Sequence, residues 1–356
     1  MSILASNTSD VAHLHGVANV SGALTPMTRV PDAEASCGGG GLAASEGHAG
    51  VNFHALSALM GITSVLSIVL NGLVIAVTLR SKLLRQPLNY ALVNLACADL
   101  GISLSGGIIT TVSNARGRFD LGRAVCVADG FLVAVFGMTA LITVCVLAVE
   151  RYVVVCKPLG GVHFNTQHGI CGVAFSWAWA LLWSMPPLFG WGRYHFEGVG
   201  TSCAPDWSDS STSGRSYMTA YFTFCFTLPM LIIVFCYTKL MRAIHKVSKL
   251  GLSANDTAER KVGMMVVVMI FAFFLCWLPY AALAIATVIK PDLKVSPLTA
   301  SIPVYMAKSS SAYNPIIYIF MHRQFREHIS RMCCGQRNQS SRITPEENTM
   351  QRLQPA

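Results

Sequence analysis

Charge is what this 356-residue chain has least of: Asp, Glu, Lys and Arg make up 12% of it, against roughly 25% in a soluble globular protein. A chain with half the usual charge cannot cover a water-facing surface with it, so most of its surface is expected to face lipid. The apolar share of 53% and a mean hydropathy of +0.51 agree. The same composition excludes a disordered chain, which needs low hydrophobicity and high charge, and it fits neither a coiled coil nor a nucleic-acid module. Acidic residues are the scarcer sign, 17 against 26 basic ones, for a net charge of +9. Residues 1–50 also lack an apolar core segment of the kind a cleavable signal peptide carries, so the first span is expected to direct insertion itself.

What is present is a set of seven long stretches nearly free of charge, at about 51–79, 86–115, 124–149, 169–192, 217–238, 262–289 and 295–321. Each reaches the ~20 residues that a helix needs to cross ~30 Å of hydrocarbon. A segment in lipid must satisfy its own backbone, so these are predicted helices rather than open strands. The expected fold is an all-α membrane protein, a seven-transmembrane helix bundle over 51–321 with a short amphipathic cytoplasmic helix over 322–332. With the N-terminus outside, the cytoplasmic segments hold 17 of the 26 Lys and Arg, and the outer ones eight, with Lys308 inside a span. That is the positive-inside asymmetry. It explains the basic balance without nucleic acid and predicts a multi-pass membrane protein.

The flanks carry modification signals. Residues 1–50 are rich in Gly, Ser and Ala and read as a disordered extracellular tail, with glycosylation sequons at Asn7 and Asn19. After the basic amphipathic stretch, Cys333 and Cys334 are juxtamembrane thiols suited to palmitoylation. Residues 333–356 form a cytoplasmic tail whose Ser340, Ser341, Thr344 and Thr349 could accept phosphate.

Polar residues at bilayer depth are costly, so each one is a functional candidate. Glu150-Arg151-Tyr152 closes the third stretch, and Glu259 opens the sixth. An Arg and a Glu on two helix ends can form an ionic latch that opens when the helices part; a snorkelling Arg is the alternative. Asn314-Pro315-Ile316-Ile317-Tyr318 places Pro inside the seventh stretch, and Cys276-Trp277-Leu278-Pro279 does so in the sixth. Pro removes a backbone bond and bends a helix. Asp99 and Asn314, joined by Asn71, then offer polar groups to one another inside the bundle.

In this order and spacing, Asn71, Asp99, Cys126, Glu150-Arg151-Tyr152, Trp177, Cys203, Pro229, Tyr237, Trp277, Pro279 and Asn314-Pro315-Ile316-Ile317-Tyr318 resemble the rhodopsin-like family of G-protein-coupled receptors, over roughly residues 50–335. The resemblance implies an activation switch of Glu150, Arg151, Tyr152, Tyr237, Glu259, Asn314, Pro315 and Tyr318. It also supports a disulfide between Cys126 and Cys203, which the oxidising outer face favours.

Lys308 narrows the family. It lies about 1.7 turns before Asn314, too deep to snorkel, so its ammonium must be neutralised, paired or used covalently. The stretch from Lys308 to Pro315 resembles the opsins, in which a lysine of the seventh span carries retinal as a Schiff base. The resemblance implies 11-cis-retinal in the dark, in a pocket of Gly137, Met138, Phe222, Phe226, Trp277 and Tyr280. Asp129 in the third span and Glu197 in the outer loop are both counterion candidates. Several stretches, such as Thr201-Ser202-Cys203-Ala204-Pro205-Asp206-Trp207, resemble the non-visual pineal and parietal-eye opsins, the parapinopsins and parietopsins. A receptor for a diffusible amine would need an Asp at position 133, which is Val133 here. An ion pump would have no use for Glu150-Arg151-Tyr152. The expected activity is therefore light sensing without enzymatic turnover. The expected partners are a heterotrimeric G protein of the Gi/transducin class, a receptor kinase, an arrestin and membrane lipid.

Overall fold

The computed structural model describes residues 51–81, 87–156, 165–248, 254–290, 293, 295–321, 325–327, 329 and 330. They form seven long helices and one β-hairpin. Helix α1 is Phe53–Arg80, and α2 runs over 87–115 as Pro87–Ile102, a π-helical stretch Ser103–Gly107, and Ile108–Ala115. Helix α3 is Arg123–Cys156, and α4 is Thr166–Ser184, followed by a 3-10 turn Pro186–Phe189. Strands β1 (Tyr194–Glu197) and β2 (Ser202–Pro205) come next. Helix α5 runs over 212–248 with a π-helical stretch Phe222–Thr227; α6 is Ala254–Ile289, and α7 is Pro297–Met321.

Among the described residues, six of these helices are long and apolar enough to cross a membrane. Helix α7 is long enough at 25 residues, but Lys308, its serines and Asn314 hold down its hydropathy. Lys308, Ser301, Ser310, Ser311 and Asn314 are buried against the other helices, so most of its polar character turns inward rather than toward lipid.

Helix ends differ from the sequence expectation for local reasons. The charge-free run suggested an end to α3 at 149, yet the helix continues to Cys156. Arg151 is therefore inside the helix rather than at its end, because intrahelical bonds do not require lipid around them. Asp129 is the seventh residue of α3, about two turns from its start. Helices α5 and α6 likewise overrun their apolar stretches. Helix α4 instead stops short of 192, because Pro186 and Pro187 lack the N–H groups that would continue it. Caps set the starts: Asn52 accepts from the Ala55 N–H, Asn165 and His168 form a reciprocal capping box, and Ser211 accepts from Gly214.

The bends satisfy their own polar groups. Pro315 cannot donate to the Ser311 carbonyl four residues earlier. That carbonyl instead accepts from Asn71 Nδ2 at 2.9 Å and from Ser67 Oγ at 3.2 Å. Asn314 Nδ2 donates to Asp99 Oδ2 at 2.9 Å. So Asn71 joins the polar centre through the proline-freed carbonyl, whereas the sequence suggested a direct link to Asp99 and Asn314. A second polar knot holds α2, α3 and α4: Asn94 donates to Thr143 and Ser176, and accepts from Trp177 Nε1. In α5, the wide π turn immediately precedes Pro229, where the backbone bond to Cys225 is lost.

The outer loop between α4 and α5 is not plain coil. It forms an antiparallel hairpin in which Phe196 faces Cys203 and Glu197 faces Ser202. Its turn uses Gly198 and Gly200 at positive φ, a region that costs most other residues. A disulfide joins Cys126 of α3 to Cys203 of β2. The Val199 N–H donates to Ser301 Oγ of α7 at 2.9 Å. The hairpin is thus pinned to two helices and carries Glu197 inward. Of the predicted amphipathic helix, residues 325–327, 329 and 330 are helical, and the remainder of 322–332 lies outside the described residues.

Candidate functional site

Lys308 is the twelfth residue of α7, one face of which is buried along Val304, Ala307, Lys308 and Ser311. Its Nζ lies 3.3 Å from Glu197 Oε1, with side chains only 6% and 7% exposed. The same Nζ donates to Thr110 Oγ1 of α2 at 3.2 Å. The carboxylate is held on both oxygens: Ser202 Oγ donates to Oε1 at 2.9 Å, and Tyr280 OH donates to Oε2 at 3.1 Å. The cost of burying two charges is offset only when pairing and further hydrogen bonds are good. Here the hairpin register supplies one donor and α6 the other.

Asp129 is fully buried, and its Oδ2 accepts from the Cys203 N–H at 3.3 Å. Among the described residues its Oδ1 has no hydrogen-bond partner, and it is not within ion-pair distance of Lys308. Of the two counterion candidates, geometry therefore places Glu197 against the amine and Asp129 against the strand that carries the disulfide. Burial pushes the Tyr194 phenol on β1 up, so it stays a donor, to the Ser184 carbonyl at 2.7 Å.

Beside the pair is a cavity of about 820 Å³, open space at its mouth included, whose lining contains Glu197 and Lys308. Gly137, Met138, Phe222, Phe226, Trp277 and Tyr280 all line it. A Cβ at Gly137 would lie 3.3 Å from the Trp277 ring, so this glycine keeps the space open beneath the indole. Trp277 stacks on Phe273 with centroids 5.6 Å apart and donates Nε1 to Ser310 Oγ at 2.9 Å. Tyr280 stands edge-on to both Trp277 and Trp207. The walls are thus almost wholly apolar and aromatic, with polar groups gathered at one end. Such a shape suits an elongated apolar molecule with a single polar terminus.

Several contributors escaped sequence reasoning. Thr110 touches the amine, and Trp207, Tyr221 and Phe273 line the cavity. Phe273 had a usable signal, since it precedes Trp277 by one turn on the same helix face. Trp207 had none, because its position depends on how the hairpin folds back.

The switch candidates lie apart from this cavity. Arg151 Nη2 pairs with the adjacent Glu150 Oε1 at 2.7 Å, both side chains buried. Tyr152 packs edge-on to Phe235 of α5. Glu259 belongs to α6, but its side chain lies outside the described residues, and so does the proposed latch. Tyr237 and Tyr318 have buried hydroxyls without a hydrogen-bond partner among the described residues. Asn7, Asn19, Cys333 and Cys334 lie outside the described residues.

The profile of the 7 transmembrane receptor (rhodopsin family) matches residues 70–318. Parapinopsin of Ictalurus punctatus is 50% identical over 289 residues, 80% of this chain and 84% of that protein. Pinopsin of Gallus gallus is 45% identical over 283 residues, 79% of this chain and 81% of its own length. The crystal structure of squid rhodopsin superposes with a TM-score of 0.72 at 28% identity, covering 85% of this chain and 92% of the other.

Proposed function

This chain belongs to the opsins of the rhodopsin family of seven-transmembrane receptors, and from that premise we propose how it senses light: its Lys308 amine carries retinal, with Glu197 as the principal counterion. It is a light-sensing G-protein-coupled receptor of the non-visual pineal type, not an enzyme. The observation that carries the proposal is the buried Lys308–Glu197 pair at the polar end of an aromatic cavity. The residues fit the group: one amine, one carboxylate held by two hydroxyls, and apolar, aromatic walls of the kind a polyene packs against.

Retinal, in the 11-cis form in the dark, supplies visible absorption and a change of shape on illumination. The rest is the work of the chain. The Glu197 carboxylate holds a proton on the Lys308 nitrogen, because a nearby anion favours the charged form against the penalty of burial. Ser202 and Tyr280 fix that carboxylate in place. The pinned hairpin excludes water from above. Asp129, held by the Cys203 N–H, is a second anion for the same proton.

Trp277 is the residue through which pressure in the cavity reaches α6, since it lines the cavity just before Pro279. Movement there would separate α6 from α3 and open the Arg151–Glu259 latch. The N-terminus is extracellular, with sugar on Asn7 and Asn19, and Cys333 and Cys334 are palmitoylated on the cytoplasmic side. The exposed helix ends then admit a G protein of the Gi/transducin class. Phosphorylation of the tail by a receptor kinase recruits an arrestin in a plasma or photoreceptor membrane.

The test is nucleotide exchange on a purified Gi-class protein by receptor reconstituted with 11-cis-retinal. Exchange should rise on illumination and remain at the dark level without retinal. Equal exchange in light and darkness, with a normal visible band, would refute the signalling role.

A further inference from the structure

A second cavity, which shares no lining residue with the one at Lys308, lies between the C-terminal half of α5 and the middle of α6, with about 1170 Å³ of space open along one side. From α5 it is lined by Val234, Thr238, Arg242 and His245, which repeat at helical spacing along one stripe. From α6 the wall is Val268 and Phe271, over a floor of buried Ile233 and Ile270. Phe271 is 67% exposed, so the groove opens outward to the membrane rather than into the bundle. Among the described residues no carboxylate lines it, and their charge sits at the end where α5 leaves the apolar stretch.

The stripe from Val234 to His245 is about 16 Å long as helix. That is close to half of the ~30 Å hydrocarbon core, the depth of one leaflet. An apolar trough one leaflet deep with a cation at its water end matches the shape and charge of a phospholipid. A second copy of the chain matches it less well. Asp99, Asp129 and Glu150, the described acidic residues within the spans, are all buried inside the bundle and offer no anion to Arg242.

We propose that this groove docks an anionic phospholipid of the cytoplasmic leaflet, its phosphate held by Arg242 and His245 and an acyl chain laid along Val234, Val268 and Phe271. A lipid wedged there touches both helices, so it would bias how far α6 separates from α5. Nothing in the docking depends on retinal; only the naming of the leaflet rests on the orientation given above.

The experiment uses the full-length receptor in nanodiscs doped with photoactivatable phosphatidylserine or, in parallel, phosphatidylcholine carrying the same acyl label. Adducts are mapped by peptide mass spectrometry. The serine lipid should label the α5–α6 groove about fivefold more than the choline lipid, the factor that one basic side chain gains near an anionic surface. Arg242→Gln with His245→Gln should abolish that preference while leaving choline-lipid labelling unchanged. Val268→Trp, which fills the groove, should reduce both. A normal visible band with retinal confirms that each variant is folded. Equal labelling by the two lipids would mean an ordinary annular lipid and overturn the proposal, as would a preference that survives the double variant. Crosslinks between two receptor chains at these residues would overturn it in favour of a dimer contact.

Discussion

The Glu197 carboxylate of the hairpin reaches across to α7 and lies 3.3 Å from the Lys308 ammonium, while Asp129 of α3 bonds instead to the Cys203 N–H. That division predicts unequal effects of neutralising the two acids. Glu197→Gln removes the anion beside the Lys308 nitrogen; with Glu197 as the proposed counterion, the absorption band should move to the near ultraviolet at neutral pH. Asp129→Asn should keep a visible band under the same conditions. In the retinal-free protein, Glu197→Gln leaves a buried cation without its partner and should cost about 3 kcal/mol. Dark pH titrations of both variants decide the matter; a visible band lost only in Asp129→Asn would transfer the role to the α3 acid.

Gly137 predicts a steric threshold. Its Cβ position is already 3.3 Å from Trp277, so Gly137→Ala should keep pigment formation with a shifted maximum. Gly137→Leu forces the indole into the cavity, and overpacking of this kind costs about 1–3 kcal/mol. The yield of pigment per folded receptor should fall about tenfold or more, measured as band intensity against total protein. Full yield in Gly137→Leu would show that the cavity does not hold the chromophore there.

The bend of α7 depends on Asn71. Asn71→Ala leaves the Ser311 carbonyl with Ser67 as its remaining partner, and a buried group deprived of a bond costs about 1–3 kcal/mol. Thermal denaturation of the dark pigment should occur several degrees lower, with the absorption maximum unchanged. An unchanged melting temperature would remove Asn71 from the support of the proline bend.

For the latch, Glu259→Gln should raise G-protein activation in darkness. A surface ion pair is worth up to about 1 kcal/mol, so on that scale the increase should be about two- to fivefold. Arg151 already pairs with Glu150, so dark activity that stays unchanged would mean that the local pair alone holds Arg151.

Much of this was legible from single residues, for physical reasons. One lysine inside an apolar run stands out because its burial is expensive, and the bilayer imposes helices on every span. Lys308 and the helix count could therefore be read without contacts. Helix ends could not, since charge marks the edge of lipid while the backbone bonds of α3 continue to Cys156. The hairpin was missed because strands of four residues, with β2 buried on both faces, show no alternation. Its register decides that Glu197 faces Ser202 and points to Lys308. The position of Glu197 against the amine therefore needed the fold, as did the placement of Trp207 and Thr110.

Attachment of retinal at Lys308 is tested most directly by the visible spectrum of Lys308→Ala beside the unaltered receptor, each expressed to the same surface level and incubated with 11-cis-retinal. The unaltered receptor should show a visible band that light shifts, and Lys308→Ala should show none. A band of normal position and intensity in Lys308→Ala would contradict the assignment of Lys308 as the attachment site.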